Sequence, residues 1–496
     1  CGLFNVGVPR AYCPLLHRRC HFCFHELKQI PVWAIITCKS RKFTGGKEDL
    51  MIRIQIPEKA NHIISVLTEA GFEAYVVGGC VRDAILGRAA ADWDITTNAQ
   101  PEQVKALFPR TLDTGLQHGT VTVMQGREGF EVTTYRIDGE YLDGRHPEKV
   151  TFTPSLLEDL KRRDFTVNAM AYNDREGLVD AFDGLGDLKR GQIRCVGDPR
   201  ERFTEDALRI LRAVRFSAQL DFAIEEKTKA ALSEFAPRLS KVSAERIQTE
   251  LVKLLTSPHP ETFRVLWETG ISAVILPEFD ACMETPQNHP HHCWSAGEHI
   301  LHALPFVEAD KTLRLAVLLH DIGKPLTRTT DEQGIDHFYN HAQKGAELAN
   351  QILRRLKFDN DTRKKAVKLV LVHDDLQIPA TQRGVRRAVH RIGADIFPDY
   401  LKVRRADILA QNPALQEEKL EALAEIERLY KKILEEQECL SLKELAVTGR
   451  DLIDAGMKPG PQLGQTLNEL LELVIEHPEY NTKESLLKRI IPPVSS

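Results

Sequence analysis

The chain has no run of apolar residues long enough to cross a bilayer, although 42% of its 496 residues are hydrophobic. A membrane-spanning role is excluded on that count, and a soluble protein is expected. Surplus positive charge is also missing: the formal net charge is -5. A surface that binds polyanions everywhere would be basic, so contact with phosphates must fall to local patches. Two stretches offer such patches, one with Arg383, Arg386, Arg387, Arg391, Lys402, Arg404 and Arg405, the other with Lys189, Arg190, Arg194, Arg200 and Arg202. Solvated helix faces are the alternative for both. No disulfide framework is visible either. Cys80, Cys195, Cys282, Cys293 and Cys439 are scattered, which suggests a reducing compartment and a cytoplasmic protein. The other cysteines crowd into residues 1–50, which lack sustained periodicity; there Cys20-x-x-Cys23 lies near His17, His21 and His25, a weak zinc signal without a second pair. Residues 1–50 are expected to be a non-native or disordered extension. A mitochondrial transit peptide is the alternative, supported by basic character and opposed by low serine content and absent amphipathic order.

What is present is concentrated first between Tyr75 and Asp94. Tyr75-Val76-Val77 is a short β-prone apolar run, followed by Gly78-Gly79, where the backbone can turn with its N–H groups uncovered. Val81 to Leu86 has helical spacing, which places Arg82 near the positive end of a helix, suited to phosphate oxygens. Asp92 and Asp94 are two apart, so in extended chain they share a face and can hold Mg²⁺ through hard oxygen ligands. The segments 119–123 and 130–136 alternate with period two around Arg127-Glu128-Gly129 and are expected to form a hairpin of the same sheet. Glu131 on its second strand is a candidate third acid near the metals; a solvated strand glutamate is the alternative.

These residues resemble the head of the class II CCA-adding tRNA nucleotidyltransferases and the related bacterial poly(A) polymerases. The resemblance continues through Arg162-Arg163-Asp164-Phe165-Thr166-Val167-Asn168-Ala169 and the run from Gly186 to Phe216, and it covers the chain from about Ile52 onward. It implies template-independent addition of CCA to tRNA from CTP and ATP, with Gly78, Gly79 and Arg82 at the nucleotide, and with Arg163, Asp164 and Asn168 contacting its sugar and phosphates. A-only addition or poly(A) synthesis is the alternative. The polar segment 136–150 corresponds to the family's loop for switching from C to A.

Asp206 and Arg209 are three apart in a helical-looking stretch, with Arg212 the next arginine along, so one face could present a carboxylate acceptor beside a guanidinium donor. Cytosine and adenine both offer an exocyclic amine next to an unprotonated ring nitrogen, which that pair matches. Uracil and guanine invert the pattern, at about 1 to 3 kcal/mol per mispaired buried group. An ordinary helix ion pair is the plainer reading; the resemblance assigns the base-reading role.

A second constellation, Leu318-Leu319-His320-Asp321-Ile322-Gly323-Lys324, resembles the HD phosphohydrolase superfamily, with His299, His341, His373 and Asp407 continuing the pattern. His299, His320, Asp321 and Asp407 are the expected metal ligands, with His341 and His373 as further candidates. Mixed imidazole and carboxylate ligation suits Mn, Fe, Co, Ni or Zn. Phosphodiesterase or phosphatase activity on 2′,3′-cyclic phosphates is what this resemblance implies, and a protein that binds RNA and only hydrolyses is a further alternative. The histidines of Asn288-His289-Pro290-His291-His292 are expected at the mouth of that site.

The expected architecture is α+β. A nucleotidyltransferase head with a small mixed β-sheet and helices spans 51–188, a helical neck 189–257, a helical HD body 258–412 and a helical, tRNA-contacting tail 413–496. Oligomeric state has no signature in the sequence.

Overall fold

The computed structural model describes residues 52–138, 150–375 and 378–490. The leading segment, its Cys20/Cys23 cluster and most of the 136–150 loop lie outside the described residues.

Nine strands form in the first part: β1 (Ala74–Val77), β2 (Ile95–Thr97), β3 (Thr111–Gly115), β4 (Thr120–Gln125), β5 (Glu128–Thr134), β6 (Arg136–Asp138), β7 (Val150–Phe152), β8 (Met170–Asn173) and β9 (Gly177–Asp180). Seven make one mixed sheet in the order β3-β4-β5-β2-β1-β8-β9, while β6 and β7 pair separately. β2 and β5 run parallel, with Ile95 beside Val132 and Thr96 beside Thr133. The β4–β5 hairpin forms as expected, but its turn is Gly126-Arg127, because Gln125 pairs with Glu128 and Gly129 pairs with Met124. Gly126 supplies the positive φ of 67° that so tight a turn needs.

Period-two alternation divides the sheet between two cores. Val76, Val132 and Phe130 face the main core, whereas Tyr75, Val77 and Tyr135 pack with Leu160 and Ala171 on the other side. That second face carries the candidate chemistry. Helices follow. The helix Leu208–Leu220 is buried along most of its length, including Ile210, Leu211 and Val214, each stabilised by about 1.5 to 3 kcal/mol on leaving water. The main core continues from it into the helical body and includes Leu423, Ile426, Leu429 and Ile433 of the helix Gln416–Glu435. A separate small core gathers Cys439, Leu452, Leu471 and Leu486. The hydrophobic division therefore falls near Cys439 and not at residue 413, because the long charged helix buries one stripe on the body. No helix among the described residues is long and apolar enough to cross a membrane.

Candidate functional site

Gly78 has φ 85°, and a Cβ there would stand 3.0 Å from the Arg163 guanidinium. The chain can leave β1 and enter the helix Gly79–Ile85 by this route only because the position is glycine. Arg82 lies in that helix, buried and already engaged: it donates to Asp83 at 2.9 and 3.0 Å and to Asn168 Oδ1 at 2.6 Å. Asn168 donates in turn to Asp164 at 3.2 Å, and Asp164 accepts from Arg212 at 2.8 and 2.5 Å. Burial opposes ionisation of Asp164, but Arg212 and Arg209 outweigh it and hold the carboxyl far below its usual range. Four of the expected nucleotide contacts thus form one fixed network before any nucleotide is bound.

Asp92 and Asp94 precede β2 in irregular chain instead of lying within a strand. Asp94 nevertheless takes a strand-like backbone position, since its carbonyl accepts from Val77 N–H at 3.0 Å. One step further along the β2/β5 register, Ile95 faces Val132, so Asp94 and Glu131 hold neighbouring positions on adjacent chains. Crowding by protein, then the charge of Glu131, raises the Asp94 carboxyl above its usual range, with Asp92 adding to the effect and Arg163 opposing it. All three acids are exposed, and carboxylate oxygens of this kind suit a hard divalent cation.

Sequence reasoning missed Asp159. This fully buried carboxylate accepts from Arg162 at 2.9 and 2.8 Å and from Thr96 Oγ1 at 3.2 Å, and it pairs with Arg163 at 3.4 Å. Its spacing of three and four residues before the two arginines is the helix ion-pair spacing, the signal that could have found it.

The expectation that Asp206 and Arg209 share one helical face is corrected. Asp206 ends the helix Pro199–Glu205 with φ -140° and ψ 105°, and a new helix starts at Leu208. Asp206 accepts from Arg246 of the neck helix Ala244–Leu255 at 2.8 Å, whereas Arg209 pairs with Glu205 and donates to the Arg162 carbonyl at 2.8 Å. The two basic stretches carry many ion pairs. Arg383 and Arg387 pair with Glu476, Arg386 with Glu438, Arg391 with Asp375, Lys402 with Glu308 and Arg405 with Glu427. Arg190 and Arg194 pair with Asp187, Arg200 with Glu234 and Arg202 with Glu205. Four of these cations, Arg200, Arg383, Arg387 and Arg405, join one helix to another, which periodicity alone does not reveal.

In the body, histidines from four helix ends or faces converge on Asp321. His320 ends the helix Lys311–Leu319, His373 ends Asn360–Val372, His341 opens His341–Arg355 and His299 lies in Ala296–Ala303. Each Nδ1 faces a backbone carbonyl: Val317 at 2.7 Å, Val370 at 2.7 Å, Phe338 at 2.8 Å and Ala410 at 3.3 Å. Carbonyls near helix ends lack intrahelical partners, so they fix the tautomer with the proton on Nδ1. All four Nε2 lone pairs then point inward. His299 and His320 Nε2 lie 3.6 and 3.2 Å from Asp321 Oδ2, and His341 and His373 Nε2 each lie 3.6 Å from Oδ1. Within each pair the Nε2 atoms are 3.2 Å apart, and with both protons on Nδ1 neither can donate to the other. Two groups able to hold metal follow, one with His299, His320 and Asp321, the other with Asp321, His341 and His373. Asp407 Oδ1 joins the first, 3.0 Å from His299 Nε2.

Burial penalises the Asp321 and Asp407 carboxylates, yet His320 when protonated, with Lys324, holds Asp321 well below the usual range, and His299 when protonated, with Arg404, does the same for Asp407. Gly323 permits the close approach: a Cβ there would meet the His341 carbonyl at 2.3 Å. Lys324, also missed, reaches Asp321 and Gln287 at 2.6 Å each. His341 and His373 line a cavity of about 410 Å³, together with Asp321, Asp407 and the loop histidines His289, His291 and His292.

Three family models match the chain: the poly A polymerase head domain over residues 74–194, a probable RNA-binding site of polymerase A over 221–283, and a putative tRNA nucleotidyltransferase domain 2 over 326–490. The chain is 38% identical over 437 residues to a CCA-adding enzyme of Lactobacillus helveticus, covering 87% of this chain and 96% of that one. It is 37% identical over 439 residues to a CCA-adding enzyme of Levilactobacillus brevis, covering 87% and 97%. Among solved structures it is similar to the Bacillus stearothermophilus CCA-adding enzyme in complex with CTP, with a TM-score of 0.69, 31% identity and coverage of 87% and 97%.

Proposed function

The chain belongs to the CCA-adding enzymes, and from that membership we propose that it is a nucleotidyltransferase that adds C, C and A to the 3′ end of tRNA, using CTP and ATP. The observation that carries the residue assignment is the hydrogen bond from Val77 N–H to the Asp94 carbonyl, which sets Asp94 beside the Gly78 turn with Glu131 at the neighbouring register position of β5. Asp92 and Asp94 would hold Mg²⁺, which when bound activates the RNA 3′-hydroxyl and neutralises the departing pyrophosphate. Around it, the chain supplies positioning. Gly78 lets the backbone approach the phosphates, and Arg163 lies close enough to that turn to contact them. The Arg212–Asp164–Asn168–Arg82 network presents a rigid wall for the sugar and base. Asp206 and Arg209 remain the proposed readers of the base edge; for them to meet one base together, Arg209 must leave Glu205 or the base must enter between the two helices.

The test is extension of tRNA lacking its terminal CCA. CTP alone should add two residues, CTP with ATP three, and UTP or GTP none. Extension by ATP alone into long tails would instead identify a poly(A) polymerase.

A second reading is favoured by the convergence of four Nε2 lone pairs on Asp321: a metal-dependent phosphoester hydrolase in the helical body. The nitrogen and oxygen donors fit a transition metal, and His299, His320, Asp321 and Asp407 would hold one ion, with His341, His373 and the other Asp321 oxygen suited to a second. The division into head, neck, body and tail assigns addition to the first two and hydrolysis to the third. The cytoplasm is the proposed place of action, since the relatives named above are bacterial.

A further inference from the structure

The cavity over Asp321 has a floor and a rim of different chemistry. The floor is ionic: Lys324 and Arg404 pair there with Asp321 and Asp407, and Lys419 and Asp374 also line it. The rim is built of flat rings. Tyr339 is 69% exposed, unusual for a residue that lines a cavity, and it stacks on His337 with centroids 5.4 Å apart and planes 8° from parallel. His289 meets His337 edge-on at 6.5 Å.

This rim is held in place from several directions. Arg328–Thr330 and Asp336–Phe338 form a hairpin, and its buried Asp336 accepts from Asn288 N–H at 2.8 Å, Thr330 Oγ1 at 2.7 Å and Arg328 Nε at 3.0 Å. Asp336 N–H donates back to the Asn288 carbonyl at 2.9 Å, which fastens the hairpin to the His289–His292 loop. His337 Nε2 is fixed by Asp331 Oδ2 at 2.8 Å. An aromatic face oriented before its ligand arrives loses little freedom on binding.

We propose that the His337–Tyr339 pair is a stacking platform for a nucleobase, so that the body site takes nucleoside phosphate esters in preference to bare sugar phosphates. The proposal rests on the phosphoester reading of this site. An ester whose phosphate is held at the metal-ligating floor leaves its nucleoside at the mouth, where any base presents a π-face to Tyr339. Purines stack over the larger area and should bind more tightly. Free nucleotides and RNA 3′ ends share this chemistry.

The experiment measures equilibrium binding to the full chain with Mn²⁺ present, by calorimetry, for three ligands: guanosine 3′-monophosphate, a trinucleotide ending in guanosine 3′-phosphate, and glycerol phosphate. Guanosine is chosen because the head is proposed to reject it. Tyr339→Ala should weaken both guanosine ligands about tenfold, leave glycerol phosphate unchanged, and be rescued by Tyr339→Phe. The tighter guanosine ligand identifies the source, nucleotide or RNA end. Unchanged guanosine binding in Tyr339→Ala, or equal loss for glycerol phosphate, overturns the platform. If the unsubstituted chain binds none of the three, the phosphoester reading itself falls and the platform falls with it.

Discussion

The head and the body each bring acidic groups together, but they do so by opposite means. In the head, Asp92 and Asp94 are neighbours in sequence and lie on exposed irregular chain, held near Glu131 by one strand register. Crowding by protein, then the charges of Glu131 and Asp92, raise the Asp94 carboxyl above its usual range, and Arg163 offsets them only in part. In the body, ligands as far apart as His299 and Asp407 are buried, and every histidine is oriented by a carbonyl hydrogen bond. An open acidic site suits ions that arrive with a triphosphate and leave with pyrophosphate. A buried site with fixed tautomers suits a resident ion.

If that contrast is right, the two sites fail independently. The largest effect is expected for Asp94→Ala, which should lower nucleotide addition by on the order of 10³ or more while leaving phosphoester hydrolysis intact, as measured on the same preparation. Loss of both activities would mean that the substitution unfolds the chain or that the sites are coupled. His320→Ala reverses the pattern. Bound transition metal, measured by elemental analysis, and hydrolysis should each fall by about a hundredfold, with addition unchanged. Retention of full metal content would remove His320 from the ligand set.

The same contrast explains what could be read in advance. The mixed sheet, the β4–β5 hairpin and the adjacency of Gly78, Asp92 and Asp94 are legible because short-range spacing and period-two alternation encode them. The six body residues were also named from their motifs, but their split around the two oxygens of Asp321 depends on how four helices pack, which no local pattern expresses. Asp206 was misread for a related reason. Asp206 alone leaves helical geometry between two segments that both have helix-compatible composition, and the chain breaks there so that Asp206 can meet Arg246, 40 residues on. The paired arginines of the helix Gln382–Ile392 follow the same logic, since their acidic partners at Glu438 and Glu476 lie far along the chain.

A smaller loss is expected at the turn. Gly78→Ala places a side chain at φ 85°, which costs roughly 1 to 3 kcal/mol, and pushes on Arg163 besides. Addition should fall about 10- to 100-fold with hydrolysis untouched. A wild-type rate would show that the turn tolerates a Cβ and that Arg163 is free to move.

The mildest substitution probes the electrostatics of the open site directly. Glu131 is the largest charged contribution raising the Asp94 carboxyl, and Asp94 must be ionised to act as a ligand. Removing that charge with Glu131→Gln should lower the pH at which Asp94 ionises, so the acid limb of the addition rate moves to lower pH. The body predicts no such shift, because Asp321 and Asp407 already lie well below their usual range and Glu131 is remote from them. An acid limb that stays in place, with the rate reduced equally at every pH, would instead make Glu131 a metal ligand in its own right, since loss of a ligand lowers occupancy without selecting one protonation state of Asp94.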